Sequence, residues 1–487
     1  MLNNWQELSI PWKDLKIFSD SLNGHLKYIY LTYALFIVLL TAIITPGYQS
    51  PDEHSHYLRA EQISRGVFVG RFVSLMPTKE HRTSPDGRIV YPDSGGYYGN
   101  KGILLSQYAF HELNFNPDKK VTRAMISHSR EYYWTPDLVL FHFPNTVIYP
   151  PTGYIFPTVG ILLGKWMHMT VFDTSILSRI INATGCIIIC FFALGLARRC
   201  RLLLFFLLLL PLPISLFASV SQDGFIISLA VLIVGLIDHV ESGETRKYSK
   251  AQIILLIICI TAISSAKPPY FLFILIFLFL NLSPREKIYC MVIPFILVLT
   301  WGLLNLPNYS VAWADPEMKI NTSLQMAYVL HHPFRFIGLF FHWDLYAIVI
   351  KMYEFIGILG WLDVILPSNY YRLAYLVFFL AILFILSFNS EKLKLRMVIL
   401  LSAFLSMLAI MAAQYITWTA LESPYLGGLQ SRYFIPVIPF LALGIAGFQK
   451  EKPLKNWQAG IFILVVIFPL ITQFIMIYKF IIRYYLT

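Results

Sequence analysis

Charge is scarce in this sequence. Only 13% of its 487 residues are Asp, Glu, Lys or Arg, whereas a soluble globular domain carries about 25%. A chain with so little polar surface has no means of remaining a compact particle in water, so the soluble classes are excluded. Cysteine is equally sparse. The five residues Cys186, Cys190, Cys200, Cys259 and Cys290 all lie within or beside hydrophobic runs. With none in a polar loop, no disulfide framework is expected, and the i, i+4 pair Cys186/Cys190 reads as packing inside a span. There is no Walker phosphate loop, no Gly-x-Ser-x-Gly elbow and no convincing His/Cys metal spacing. Alternating apolar strands are absent, which excludes a transmembrane barrel. No internal repeat and no low-complexity tract occurs. No cleavable signal peptide is expected, because the first apolar run follows a polar stretch ending at Lys27 and lacks a small-residue cleavage site.

What is present is apolar. The chain is 57% hydrophobic and 16% aromatic, with a mean hydropathy of +0.63. Runs such as 28–44 and 457–478 are about the length that crosses a hydrocarbon core. A net charge of +11 would suit a nucleic-acid partner only if Lys and Arg clustered on one soluble face. Instead they form tufts between apolar runs: Arg198/Arg199/Arg201, Arg246/Lys247/Lys250, Arg285/Lys287, Lys392/Lys394/Arg396 and Lys450/Lys452/Lys455. Short basic loops mark the cytoplasmic side, so the tufts report topology, the partners are membrane lipids, and no nucleic acid is expected.

Placing every tuft inside requires that 153–172 not cross. It is expected to lie along the outer surface or re-enter it. The result is an all-α polytopic membrane protein of about eleven spans, N-terminus in and C-terminus out, with 251–265 and 270–283 as unusually short spans. The divisions expected are 1–46 (cytoplasmic N-terminus and first span), 47–174 (long first external loop), 175–306 (membrane bundle), 307–371 (second external segment, carrying Trp313, Trp343 and Trp361) and 372–487 (C-terminal bundle).

The densest polar cluster, Pro51-Asp52-Glu53-His54-Ser55-His56-Tyr57-Leu58-Arg59-Ala60-Glu61, follows the first span. Adjacent carboxylates and imidazoles at a membrane boundary offer a general base, a hydrogen-bond relay or metal ligands. The plainer reading is a solvated helix start, since Asp and Glu after Pro suit the helix dipole. A second set sits at the ends of later spans: Asp223, Lys267 and Arg432. Lys267 breaks the positive-inside pattern. Lys267 and Arg432 either snorkel to headgroups or together bind a lipid-linked phosphate; Asp223 is either a helix cap or part of that site. Tyr149-Pro150-Pro151-Thr152-Gly153-Tyr154 reads as a rigid turn.

These fragments, with Ser221-Gln222-Asp223-Gly224, Lys267-Pro268-Pro269-Tyr270, Gly360-Trp361-Leu362-Asp363 and Gly428-Leu429-Gln430-Ser431-Arg432-Tyr433-Phe434-Ile435-Pro436, resemble the DUF-2142 family of predicted bacterial membrane proteins, which look like GT-C-type glycosyltransferases. Ser431 stands where the resemblance leads one to expect glycine. The resemblance covers most of the chain and implies a GT-C-like bundle whose first external loop bears the acidic motif. It implies Asp52 and Glu53 as the catalytic pair. It also implies a substrate-binding set of His54, His56, Arg59, Asp223, Lys267, Gln430, Arg432 and Tyr433, with Lys267 and Arg432 on the carrier phosphate. The expected donor is a sugar on a polyprenyl phosphate, and the acceptor a lipid-linked or polymeric saccharide such as O-antigen, on the outer face of a bacterial inner membrane. The plan is similar to that of serotype-converting glucosyltransferases that modify lipopolysaccharide. No cofactor is expected, and no metal, although a divalent ion at the acidic motif is the variant to test. The rival expectations are a transporter or flippase, or a polymerase, of lipid-linked saccharides.

Overall fold

The computed structural model of the chain describes residues 12–74, 82–83, 89–90, 93–243, 247–306, 320–341, 345–387, 391–448 and 455–486. Trp313 and Trp343 lie outside the described residues. Among the described residues, seven helices are long and apolar enough to cross a membrane: Ser21–Ile44, Val171–Leu196, Gln222–Glu241, Pro284–Asn305, Ser368–Leu386, Leu393–Trp418 and Asn456–Tyr484. The first of these continues an unbroken helix that begins at Trp12. The protein is therefore an all-α polytopic membrane protein.

The other expected spans are shorter or broken. Arg201–Leu208 and Pro211–Phe217 are separate helices, because Pro211 cannot supply the N–H that a continuous helix would need there. Lys250–Ala266 has 17 residues. Pro268–Leu278 is a 3₁₀ helix of 11 residues, whose rise of about 2.0 Å per residue stretches it to roughly 22 Å. Ser431–Ala446 is the last short apolar piece. Each of these four nonetheless joins the two ends of the bundle.

The two ends differ in character. At one, Arg201 donates to the Asn23 carbonyl at 3.2 Å, Glu241 accepts from the Asn281 amide at 3.1 Å and pairs with Lys392, and Arg396 donates to the Gly444 carbonyl at 3.0 Å. Each of the five basic tufts has residues among those described, and those residues gather at this end. At the other, the Tyr485 hydroxyl donates to the Ile44 carbonyl at 2.8 Å and the Val121 amide to the Tyr484 carbonyl at 2.7 Å. The first and last helices thus finish together, at the end that carries the motifs.

Helix Gln222–Glu241 forms the middle of the bundle, with nearly every residue buried. It meets Val171–Leu196 closely at Gly235, where a Cβ would lie 2.5 Å from the Ala193 carbonyl oxygen. Small residues permit such backbone contact where lipid supplies no hydrophobic drive between helices. Helix Pro284–Asn305 is the opposite case, exposing Ile288, Val292, Phe295, Ile296 and Leu299 along its length, as a lipid-facing helix does.

The segment 153–172 does not cross. Its helix, Ile155–Trp166, has 12 residues, roughly 18 Å. Both its ends are held by one short helix, Glu53–Ser64: Tyr154 bonds His56 at 2.6 Å and Lys165 pairs with Glu61 at 3.1 Å. It packs instead on the first turns of Val171–Leu196, with Gly160 against Ser178 and Gly164 against Thr174. Its outer face shows Ile155, Leu162, Trp166 and Met167. The first loop also holds a small antiparallel sheet, Arg71–Ser74, Asp93–Asn100 and Leu138–His142, which pairs Tyr97 with Phe141 and Gly99 with Val139.

Candidate functional site

The acidic motif opens a short helix, Glu53–Ser64, that lies across the motif end of the bundle. Asp52 precedes it at φ 58° and ψ 10°, a left-handed conformation uncommon outside glycine. Neighbouring side chains are thereby sent to different partners. Asp52 reaches Arg432 through a charge-assisted hydrogen bond. Glu53 turns into the protein and meets Arg179, whose Nε donates to Oε1 at 2.7 Å and whose Nη2 donates to Oε2 at 2.5 Å.

Glu53 and Arg179 are both 2% exposed. The Val220 amide also donates to Glu53, at 2.9 Å, and Arg179 donates to the Thr45 and Pro46 carbonyls at 2.6 and 2.9 Å. This knot fastens together the end of the first helix, the start of the motif helix, Val171–Leu196 and the loop before Gln222. Arg179 was not singled out from the sequence. The signal was a lone arginine two turns into an otherwise apolar run, where a charge needs a partner.

Asp52 belongs to a different group. Arg432 Nη1 lies 3.7 Å from Asp223 Oδ2, and Lys267 Nζ donates to Asp223 Oδ1 at 2.7 Å. Four charged side chains from four remote parts of the chain thus form one cluster. Tyr433 floors it, with Lys267 Nζ 4.4 Å and the Arg432 guanidinium 5.4 Å from its ring centroid, both within cation–π range. The Tyr270 hydroxyl fixes that floor by donating to the Tyr433 carbonyl at 2.7 Å. Arg432 Nε is buried and, among the described residues, has no hydrogen-bond partner. Asp52 is the most open member, its side chain 34% exposed against 6% for Asp223.

Burial by itself would raise the Asp52 carboxyl; the adjacent Arg432 guanidinium outweighs it and holds the group below its ordinary value. His56 is buried against the cluster, its ring stacked on Tyr149 and bonded to the Tyr154 hydroxyl. Burial pushes its imidazole down to about 4, against the pull of Asp223 and Asp52, so it is neutral at pH 7.

The remaining expected site residues fall around this centre. His54 sits half-buried at the rim, tilted over Trp361 at a centroid distance of 6.0 Å. Arg59 faces away: its Nε and Nη2 donate to the Tyr149 carbonyl at 3.1 and 2.8 Å, and Nη2 also to the Phe68 carbonyl at 2.6 Å. It anchors the Tyr149–Tyr154 turn, and its named partners lie outside the charged cluster. Gln430 and Arg432 line a small cleft walled by Pro51, Leu212, Leu216 and Leu359. Ser431 is held by Glu354, which accepts from its amide at 3.1 Å, and its hydroxyl donates to the Lys351 carbonyl at 2.9 Å. The hydroxyl therefore gives this position a bond that glycine would lack. Among the described residues, no three His, Cys, Asp or Glu side chains come together as a metal site.

A helical polytopic membrane protein with a charged cluster at one end of its bundle is the class these features define. The family described as predicted membrane protein (DUF2142) matches residues 35–441, and the chain belongs to it. No curated protein and no solved structure matches the chain.

Proposed function

We propose that this protein is a GT-C-type glycosyltransferase that moves a sugar from a polyprenyl-phosphate carrier to a cell-envelope saccharide on the periplasmic face of a bacterial inner membrane. The observation that carries the reading is the meeting of Asp52, Asp223, Lys267 and Arg432 beside a largely apolar cleft. The cluster lies at the end of the bundle opposite the basic tufts, which the positive-inside rule assigns to the cytoplasm.

Arg432 and Lys267 supply donors for a phosphate, and the carrier's lipid chain runs past the apolar side chains Leu212, Leu216 and Leu359 beside Arg432. A sugar phosphate is already a good leaving group and needs no general acid on the departing oxygen. One carboxylate is then sufficient, in contrast to the two flanking carboxylates of glycosidases. Asp52 takes the proton of the acceptor hydroxyl. The acceptor oxygen bonds to the anomeric carbon while the carbon–oxygen bond to phosphate breaks, and polyprenyl phosphate departs held by the two cations. A single displacement inverts the anomeric centre. Glu53, spent on Arg179, holds the frame.

Flippases place ionisable groups near the midplane, often on paired repeats; here the charges gather at one end. The experiment is transfer in proteoliposomes containing the purified chain, a panel of polyprenyl-phosphate hexoses and a lipid-linked oligosaccharide, with carrier flipping measured in parallel. Sugar incorporation with release of polyprenyl phosphate is expected. Flipping without transfer from any donor would overturn the reading.

A further inference from the structure

Two carboxylates and two cations meet in the cluster, so its charges cancel before any anion enters. An anion arriving at Arg432 and Lys267 would leave a buried excess of negative charge unless one carboxylate moves away, and such an excess is costly. Asp223 is fixed. It sits near the start of a buried helix, 6% exposed, with Lys267 at 2.7 Å and Arg432 at 3.7 Å. Asp52 is the mobile candidate: it is the more exposed, it precedes a short helix, and Arg432 is the cation it hydrogen-bonds among the described residues.

We propose that Asp52 competes with the incoming phosphate for Arg432 and must leave the guanidinium before a phosphate can bind there. The inference rests on the reading of the cluster as a lipid-phosphate site. A carboxylate ligand would replace Asp52 like for like and gain little. A phosphate brings a further oxygen and more charge, bridges Arg432 and Lys267, and can engage the unpartnered Arg432 Nε. Displacement also puts the freed Asp52 carboxylate beside the bound phosphate, where the acceptor hydroxyl must give up its proton.

Binding of farnesyl monophosphate and of farnesoate, the same chain ending in a carboxylate, tests this on the full-length protein in nanodiscs. Asp52→Asn should tighten farnesyl monophosphate about tenfold and farnesoate by a similar factor, because both wait on the same displacement. Asp52→Ala gives the same readout should the Asn variant fail to insert. If the unaltered protein binds farnesyl monophosphate but neither variant binds it more tightly, the competition is overturned and the lipid-phosphate reading stands. If neither the unaltered protein nor the variants bind it, both fall.

Discussion

Asp52 and Glu53 are neighbours in the sequence, and each meets an arginine, yet the two ion pairs they form are built differently. The Glu53–Arg179 pair is closed on all sides: three donors fill the carboxylate, and carbonyls of the first helix take up the guanidinium. The Asp52–Arg432 pair is open, partly exposed, shared with Asp223 and left with an unused guanidinium N–H. A buried charge whose every bond is made has nothing left to offer a ligand. One that is left partly unmade, at the mouth of a cleft, does. Sequence proximity therefore says little about role here; the completeness of the hydrogen bonding says much.

The largest contrast should appear in stability. Removing one partner of a buried pair strands the other, at about 3–5 kcal/mol, whereas exposed pairs contribute about 0–1 kcal/mol. Glu53→Gln should sharply lower the thermal midpoint of the detergent-solubilised protein, and Asp52→Asn should lower it much less, because Arg432 keeps Asp223 beside it. Equal losses would erase the distinction between the pairs. Next comes ligand affinity. Arg432→Ala and Lys267→Ala should each weaken farnesyl monophosphate tenfold to a hundredfold, since a charge-assisted hydrogen bond is worth roughly 1.5–3 kcal/mol. Unchanged affinity in Arg432→Ala would return that residue to a snorkelling role.

A smaller effect concerns His56. Its folded value, about 4, lies below the ordinary value of about 6.5. Between these two pH values the unfolded chain takes up a proton that the folded chain does not. Stability from this group is therefore intact above about pH 6.5 and declines as the pH falls toward 4, by on the order of 3 kcal/mol. The groups facing it are Asp223, Asp52, Arg432 and Lys267, and the carboxylates lose stability in the same acid direction. The test is the difference between the unaltered protein and His56→Asn: the variant should show a shallower fall in thermal midpoint between pH 6.5 and 4. Parallel curves would mean that His56 is already protonated in the folded protein.

The cluster was legible in part. Asp52, Asp223, Lys267 and Arg432 all stood out as charges at the edges of apolar runs, because lipid leaves a lone charge no other solvent. That they would meet came from the order of the motifs, and the structure brings them together. The parting of Asp52 from Glu53 was hidden, since it depends on the left-handed turn at Asp52 and on an arginine more than a hundred residues away. The surface placement of 153–172 followed from counting basic tufts and agrees with a helix too short to cross. The small sheet is not legible in the sequence, because Asp93–Asn100 carries Gly95, Gly96 and Gly99, and glycine inside a strand weakens the strand pattern. Gly99 is needed there, as a Cβ would come within 2.9 Å of the Phe141 ring. The breaks in 201–217 and the 3₁₀ stretch 268–278 are likewise set by proline in a sequence that hydropathy alone reads as continuous.

The most direct test of the account is the turnover of Asp52→Asn and Glu53→Gln, measured per folded molecule in the transfer assay with polyprenyl-phosphate hexose. Asn keeps the shape and hydrogen bonding of Asp52 but takes no proton, so a general base lost in this way costs about 10²–10⁴-fold. The account predicts that Asp52→Asn inserts, binds the donor and transfers almost nothing. It predicts that Glu53→Gln yields little folded protein, but that this remainder turns over far faster than the Asp52 variant. Near-normal transfer by folded Asp52→Asn would contradict it at the centre.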